Sequence, residues 1–138
     1  MEAKPVKITT FLSFNDKAEE AMNFYATVFK QAKIGNILRN EPGGYGPAGS
    51  MLVGDMELYG QQFMFMNGGS SFSFTQGISL WINPANQEEI DEIWDKLTDE
   101  GEPIQCGWLK DKFGVSWQVA PDILGEMLSD KDKKKQSG

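Results

Sequence analysis

Two βαβββ modules in an α+β arrangement follow from three features of this 138-residue sequence. Only two segments carry the 3- and 4-residue apolar spacing of an amphipathic helix. Each of them follows a stretch with the alternating pattern of a strand. The order strand, helix, strands then recurs about 70 residues later, in element order rather than in residue identities. A parallel βαβ winding would need a helix after nearly every strand, which two helices cannot supply. Each module is expected to lay its helix on one face of a curled antiparallel sheet and to leave the other face concave.

The first strand is read at 7–14, with Ile8, Thr10, Leu12 and Phe14 on one face and Lys7, Thr9, Phe11 and Ser13 on the other. A helix is read from Asp16 to Phe29. Asp16 is its expected cap and Glu19 completes a capping-box pattern. Its buried stripe is Ala18, Ala21, Met22, Tyr25, Val28 and Phe29. Strands at about 33–40, 50–58 and 62–66 follow, with a Gly/Pro loop over 41–49, a tight turn at Gly60-Gln61, and Asn67-Gly-Gly69 closing the module.

The second module starts with a strand over 77–83, placing Ile78, Leu80 and Ile82 opposite Gly77, Ser79 and Trp81. Asn86 is positioned to cap the next helix, with Glu89 at the box position and Ile90, Ile93, Trp94 and Leu97 as its stripe. Strands at about 103–109 and 115–120 flank a hairpin at Lys110–Gly114, whose charged residues read as solvated. A short helix is expected from Pro121 to about Leu128. Residues 1–129 thus read as one domain, module one at about 7–69 and module two at about 76–121, with a charged tail at 130–138.

Composition narrows the chemistry. The chain is 40% hydrophobic and 24% charged, which is globular rather than disordered. No stretch approaches the ~20 apolar residues of a membrane span, and no secretory signal is visible at the N-terminus. Cys106 is the single cysteine, so no internal disulfide forms, and a cytoplasmic setting is expected. Net charge is −7, and the tail holds four Lys against two Asp, leaving the body at about −9. Such a body repels phosphate backbones, so no nucleic-acid partner is expected. With no histidine at all, Ser-His-Asp triads, Cys-His pairs and imidazole metal ligands are excluded.

The segments Lys7-Ile-Thr-Thr-Phe-Leu-Ser-Phe14, Ala18-Glu-Glu-Ala-Met-Asn-Phe-Tyr25, Gly46-Pro-Ala-Gly49, Gly60-Gln-Gln-Phe63, Met66-Asn-Gly-Gly69, Phe72-Ser-Phe74 and above all Cys106-Gly-Trp-Leu-Lys-Asp-Lys-Phe-Gly-Val-Ser-Trp-Gln118 carry a resemblance. The chain resembles the PhnB-like branch, labelled the 3-demethylubiquinone-9 3-methyltransferase domain, of the vicinal oxygen chelate superfamily (glyoxalase I, bleomycin-resistance proteins, extradiol dioxygenases). The resemblance implies a glyoxalase-like domain and a homodimer. It also implies four metal-ligand positions, which carried over one at a time fall near Thr9, near Met64, near Gly77 and on Gln118. None of these is His, Asp, Glu or Cys, and a dication needs charged or imidazole donors. No metal is therefore expected, and no cofactor.

Strand alternation places an apolar and aromatic lining with a few neutral polar groups on the concave side. Thr9, Phe11, Met64, Ser79, Trp81 and Gln118 are the expected ligand-binding residues, with Ser13, Met66 and Ser116 beside them; no catalytic residue stands out. Gly44-Tyr-Gly-Pro-Ala-Gly49 matches a dinucleotide fingerprint formally, but Pro47 interrupts it and a strand follows, so it reads as a loop at the cavity mouth. A lysine at the rim, Lys110 or Lys112, is a candidate for holding an anion, and Cys106 reads as a buried thiol. The leading expectation is metal-independent binding of a small apolar or aromatic molecule. The alternatives are a small-molecule enzyme with an atypical metal or none, a vestigial cavity in an interaction protein, and the labelled methyl transfer. No Gly-rich methyl-donor site supports the last.

Overall fold

The computed structural model describes residues 7–105 and 107–120, which fall into two compact units divided between Ser73 and Phe74. The terminal helix expected over 121–128, the tail and Cys106 lie outside the described residues. The first unit contains β1 (Thr10–Phe14), α1 (Ala18–Val28), β2 (Ala32–Arg39), β3 (Met51–Leu58) and β4 (Gln61–Asn67). The second contains β5 (Leu80–Ile82), α2 (Gln87–Thr98), β6 (Glu102–Pro103), β7 (Trp108–Lys110) and β8 (Ser116–Val119). Each is a βαβββ unit with a four-stranded sheet, ordered β1-β4-β3-β2 in the first and β5-β8-β7-β6 in the second. The expected α+β class is the observed one. Among the described residues no helix is long and apolar enough to cross a membrane.

In the first unit the last strand lies between the first and the third, parallel to β1 and antiparallel to β3. Paired residues share a face, so Leu12 with Phe65 and Phe14 with Asn67 turn toward α1. The expected stripe of α1 is all buried. Tyr25 lies 5.9 Å from the Phe65 ring, which stacks on Phe14 at 5.7 Å. A shift in the β2–β3 register between Leu38 and Arg39 passes over Leu52 and brings Met51 into the core. The hairpin turn is Tyr59-Gly60, one residue earlier than expected, with φ of 50° and 81°. Both residues are left-handed, as a two-residue turn joining twisted strands requires.

Several local expectations need correction. Asp16 does not cap α1: Lys17 holds the cap position without a side-chain bond, and the Ala18 N–H instead donates to Asn67 Oδ1 at 2.8 Å. The strands opening the two units begin later than read, so Ile8 and Ile78 are 86% and 79% exposed rather than core. The expected strand at 103–109 is two short ones, because the chain turns near Gly107 (φ 80°). Asn86 does cap α2, accepting the Glu89 N–H at 2.9 Å, while the Glu89 carboxylate accepts from Ala85 N–H.

Asp111 is the largest departure. Its place between two lysines read as solvated hairpin, yet it is 3% exposed. Its Oδ1 accepts the N–H groups of Phe113 (2.9 Å) and Val115 (3.1 Å), and Oδ2 accepts the Trp117 indole N–H at 2.9 Å. One carboxylate therefore closes the β7–β8 hairpin and orients the buried Trp117 ring, and three donors offset its desolvation. Asp111→Ala leaves those donors without this acceptor and is expected to cost about 3 kcal/mol of unfolding free energy in urea titrations, with Asp111→Asn losing less. A change below ~1 kcal/mol for the alanine variant would contradict this account.

Candidate functional site

The six residues expected to bind a ligand lie on, or just before, the strands, on the sheet faces turned away from the helices. In the first unit Phe11 pairs with Met64 across the parallel β1–β4 ladder, and half-buried Thr9 directly precedes β1. Phe11 is 51% exposed. In the second unit Trp81 pairs with Gln118, whose amide nitrogen donates to Ser79 Oγ at 2.9 Å. Trp81 is 47% exposed and its indole N–H donates to the Ala120 carbonyl at 3.1 Å. Each unit thus holds an open aromatic ring at the second position of its first strand. Ser116 is buried, and among the described residues its hydroxyl has no hydrogen-bond partner. By the β3–β4 register, Asp55 and Glu57 share the Met64 side of the sheet. Asp55 accepts the Asn36 N–H at 3.2 Å.

The cavity itself is built elsewhere in the first unit. It encloses about 690 Å³, opens to solvent, and is lined by the β1–α1 connection, the loop 41–49 and the end of β4 with the segment beyond it. Met66 is the one lining residue that the strand pattern places on the concave side, and Tyr45 belongs to the loop read at the cavity mouth; the pattern gives no sign of Asp16, Asn40, Asn67 or Phe72 as site residues.

The loop 41–49 reads as an open mouth but is pinned at its neck. Asn40 N–H donates to the Ser50 carbonyl and Gly49 N–H to the Asn40 carbonyl, both at 2.8 Å. The buried Asn40 amide donates to Ser50 Oγ at 3.1 Å, and Ser50 Oγ donates to the Pro47 carbonyl at 2.6 Å. From outside, Arg39 donates to the Gly49 carbonyl at 3.1 Å while its guanidinium holds the Glu19 carboxylate of α1 at 3.0 and 2.7 Å. At the end of β4, Asn67 Oδ1 receives the Ala18 N–H and Asn67 Nδ2 donates to the Met51 carbonyl at 3.0 Å. Beyond it the Phe72 ring lies over Gly68, where a Cβ would fall 2.5 Å from a ring carbon and 2.9 Å from the Met66 methyl. Only glycine permits that approach.

The two candidate rim lysines have acidic neighbours: Lys110 lies 3.7 Å from Glu102, and Lys112 lies 3.9 Å from Glu100 and 5.5 Å above the Phe113 ring. At the four positions that would hold a chelated metal stand a hydroxyl, a thioether, a glycine and an amide already donating to Ser79. Among the described residues no three His, Cys, Asp or Glu side chains gather into a group. That donor set does not fit a divalent metal.

Paired βαβββ units of matching strand order define a glyoxalase-like protein. The family described as 3-demethylubiquinone-9 3-methyltransferase matches residues 6–120, and the chain belongs to this PhnB-like family. The PhnB protein from Bacillus cereus is 41% identical over 83% of this chain and 99% of its own, with a TM-score of 0.76. A fosfomycin resistance protein, FosX, from Mesorhizobium loti shares the fold at 10% identity, covering 92% of this chain and 99% of its own (TM-score 0.62). So does a glyoxalase/bleomycin resistance protein from Albidiferax ferrireducens, at 15% identity over 81% and 95% (TM-score 0.53). No curated protein matches the chain.

Two expectations follow for the walls. Asn67→Ala removes both amide bonds and is expected to destabilise the protein by about 2 kcal/mol in urea titrations, with faster amide exchange at Ala18 than in the parent. The Arg39 hydrogen bond, opposed by some desolvation and helped by its charge, lowers the Glu19 carboxyl below its usual 4.5. A lowered folded value means the pair stabilises above 4.5 and that this contribution fades as pH falls through the folded value. Glu19→Gln should therefore show a smaller loss of stability on acidification than the parent; equal losses would remove the pair from the account.

Proposed function

We propose that the chain binds a small, partly apolar or aromatic molecule without the help of a metal. The observation that carries this reading is the cavity of about 690 Å³ in the first unit. Its volume lies within the range of small-molecule sites, ~300–1,000 Å³. Its walls combine Met51, Leu52, Met66 and Phe72 with polar side chains, of which those of Asn40, Ser50 and Asn67 are already hydrogen-bonded. Such a site is formed before the ligand arrives, which limits the ordering cost of binding. We extend the proposal to the open sheet faces, where Thr9, Phe11 and Met64, and Ser79, Trp81 and Gln118, supply aromatic surface with neutral hydrogen-bonding groups.

The methyl transfer in the family description gains no support from the architecture. The β1–α1 and β5–α2 connections, 15–17 and 83–86, contain no glycine, and both sheets are mixed rather than doubly wound and parallel. A methyl donor's usual site needs a Gly-rich turn at the start of such a helix.

Native mass spectrometry of protein purified without chelator tests the proposal and reads the expected homodimer in the same spectrum. The expected result is an organic adduct that survives chelator treatment and is lost or weakened about tenfold in Phe72→Ala. A stoichiometric metal, or an adduct that leaves with the metal, would overturn the metal-free reading.

A further inference from the structure

The walls of the cavity also constrain the charge of its occupant. Of the described residues lining it, Asp16 is the one Asp, Glu, Lys or Arg. Lys17, next in sequence, lies 3.9 Å from Glu20, and Arg39, next to the lining residue Asn40, is held by Glu19 at 2.7 Å. Among the described residues no cation pairs with Asp16. Asp16 therefore brings to the cavity wall a carboxylate with no cation paired to it among the described residues, in a chain of net charge −7 whose field raises the local concentration of cations.

The other walls suit the same charge. Tyr45 is 94% exposed at the tip of a loop pinned at its neck, and Phe72 is 48% exposed with its ring laid over Gly68. Aromatic faces carry negative quadrupoles that attract cations, ammonium groups above all. The thioethers of Met51 and Met66 add soft, polarisable contacts for an apolar body. An anion meets no lysine or arginine among the lining residues.

We propose that this cavity takes a small organic cation, an amine or quaternary ammonium on an apolar or aromatic body, with Asp16 opposite the charge and Tyr45 and Phe72 against it. The proposal rests on the small-molecule reading of the same cavity and adds the chemical class of the ligand.

Three probes of nearly equal shape separate the two claims: benzylamine, benzyl alcohol and benzoate, titrated into the full-length protein at pH 7 and followed by amide NMR shifts of Gly46, Gly68 and Gly69. Benzylammonium is expected to bind about tenfold tighter than the alcohol, with benzoate weakest. Added salt should weaken the amine and leave the alcohol unchanged. Asp16→Asn, a change at an exposed side chain, should bring the amine down to the alcohol's affinity without altering the alcohol. Tyr45→Leu, at an equally open position, should weaken the amine more than the alcohol. If alcohol and amine bind equally to the parent, the charge assignment falls and the small-molecule reading stands. An amine preference that survives Asp16→Asn overturns the role of Asp16. If no probe moves the cavity amides, both claims fail.

Discussion

One amide, on Asn67, holds the first unit together. It stands at the end of β4, the strand that pairs with both β1 and β3, and its two polar atoms reach opposite neighbours. The oxygen takes the first N–H of α1, and the nitrogen donates to the carbonyl where β3 begins. The cap residue of α1 supplies no side-chain bond of its own, so the start of the helix is fixed by a residue of the sheet. That placement lets Tyr25 meet Phe65 and sets the connection bearing Asp16 against the end of β4. Helix start, strand start and cavity wall share one constraint.

The second unit uses a different group for a comparable purpose. There a carboxylate, Asp111, gathers two backbone donors and one indole donor at the hairpin. Both devices turn a polar side chain inward where a local reading would leave it in water. Polar groups turned inward stabilise only when their donors and acceptors are matched, as they are at half-buried Asn67 and buried Asp111. Ser116 is the contrasting case, a buried hydroxyl with no partner among the described residues.

The elements legible in the sequence are those set by local periodicity. The stripe of α1 is buried throughout, and the Asn86 cap of α2 forms because acceptor and donor lie three residues apart. The Ala18 cap was not legible, because its acceptor arrives from 49 residues away. Alternation gives the faces of β1 and β5 but not where pairing begins, so it reads as core Ile8 and Ile78, which the structure exposes. The pattern placed Phe11 and Trp81 on the open faces, yet it missed Asp16, Asn40 and Phe72. Those three reach the cavity through loops closed by hydrogen bonds and by the Phe72–Gly68 approach, and neither leaves a periodic trace.

The shared strand order has a consequence for synthesis. In each unit the strand made last is inserted between the first and the third, so the first has no sheet partner until its module is nearly complete. On the ribosome, β1 emerges, waits through a helix and a hairpin's worth of chain, and gains its hydrogen bonds only when 61–67 has cleared the exit tunnel. Pairings separated so far along the chain are slow to form and leave a bare edge meanwhile. The nascent polypeptide thus passes through two such intervals, one for each module, in which a chaperone has an edge to protect.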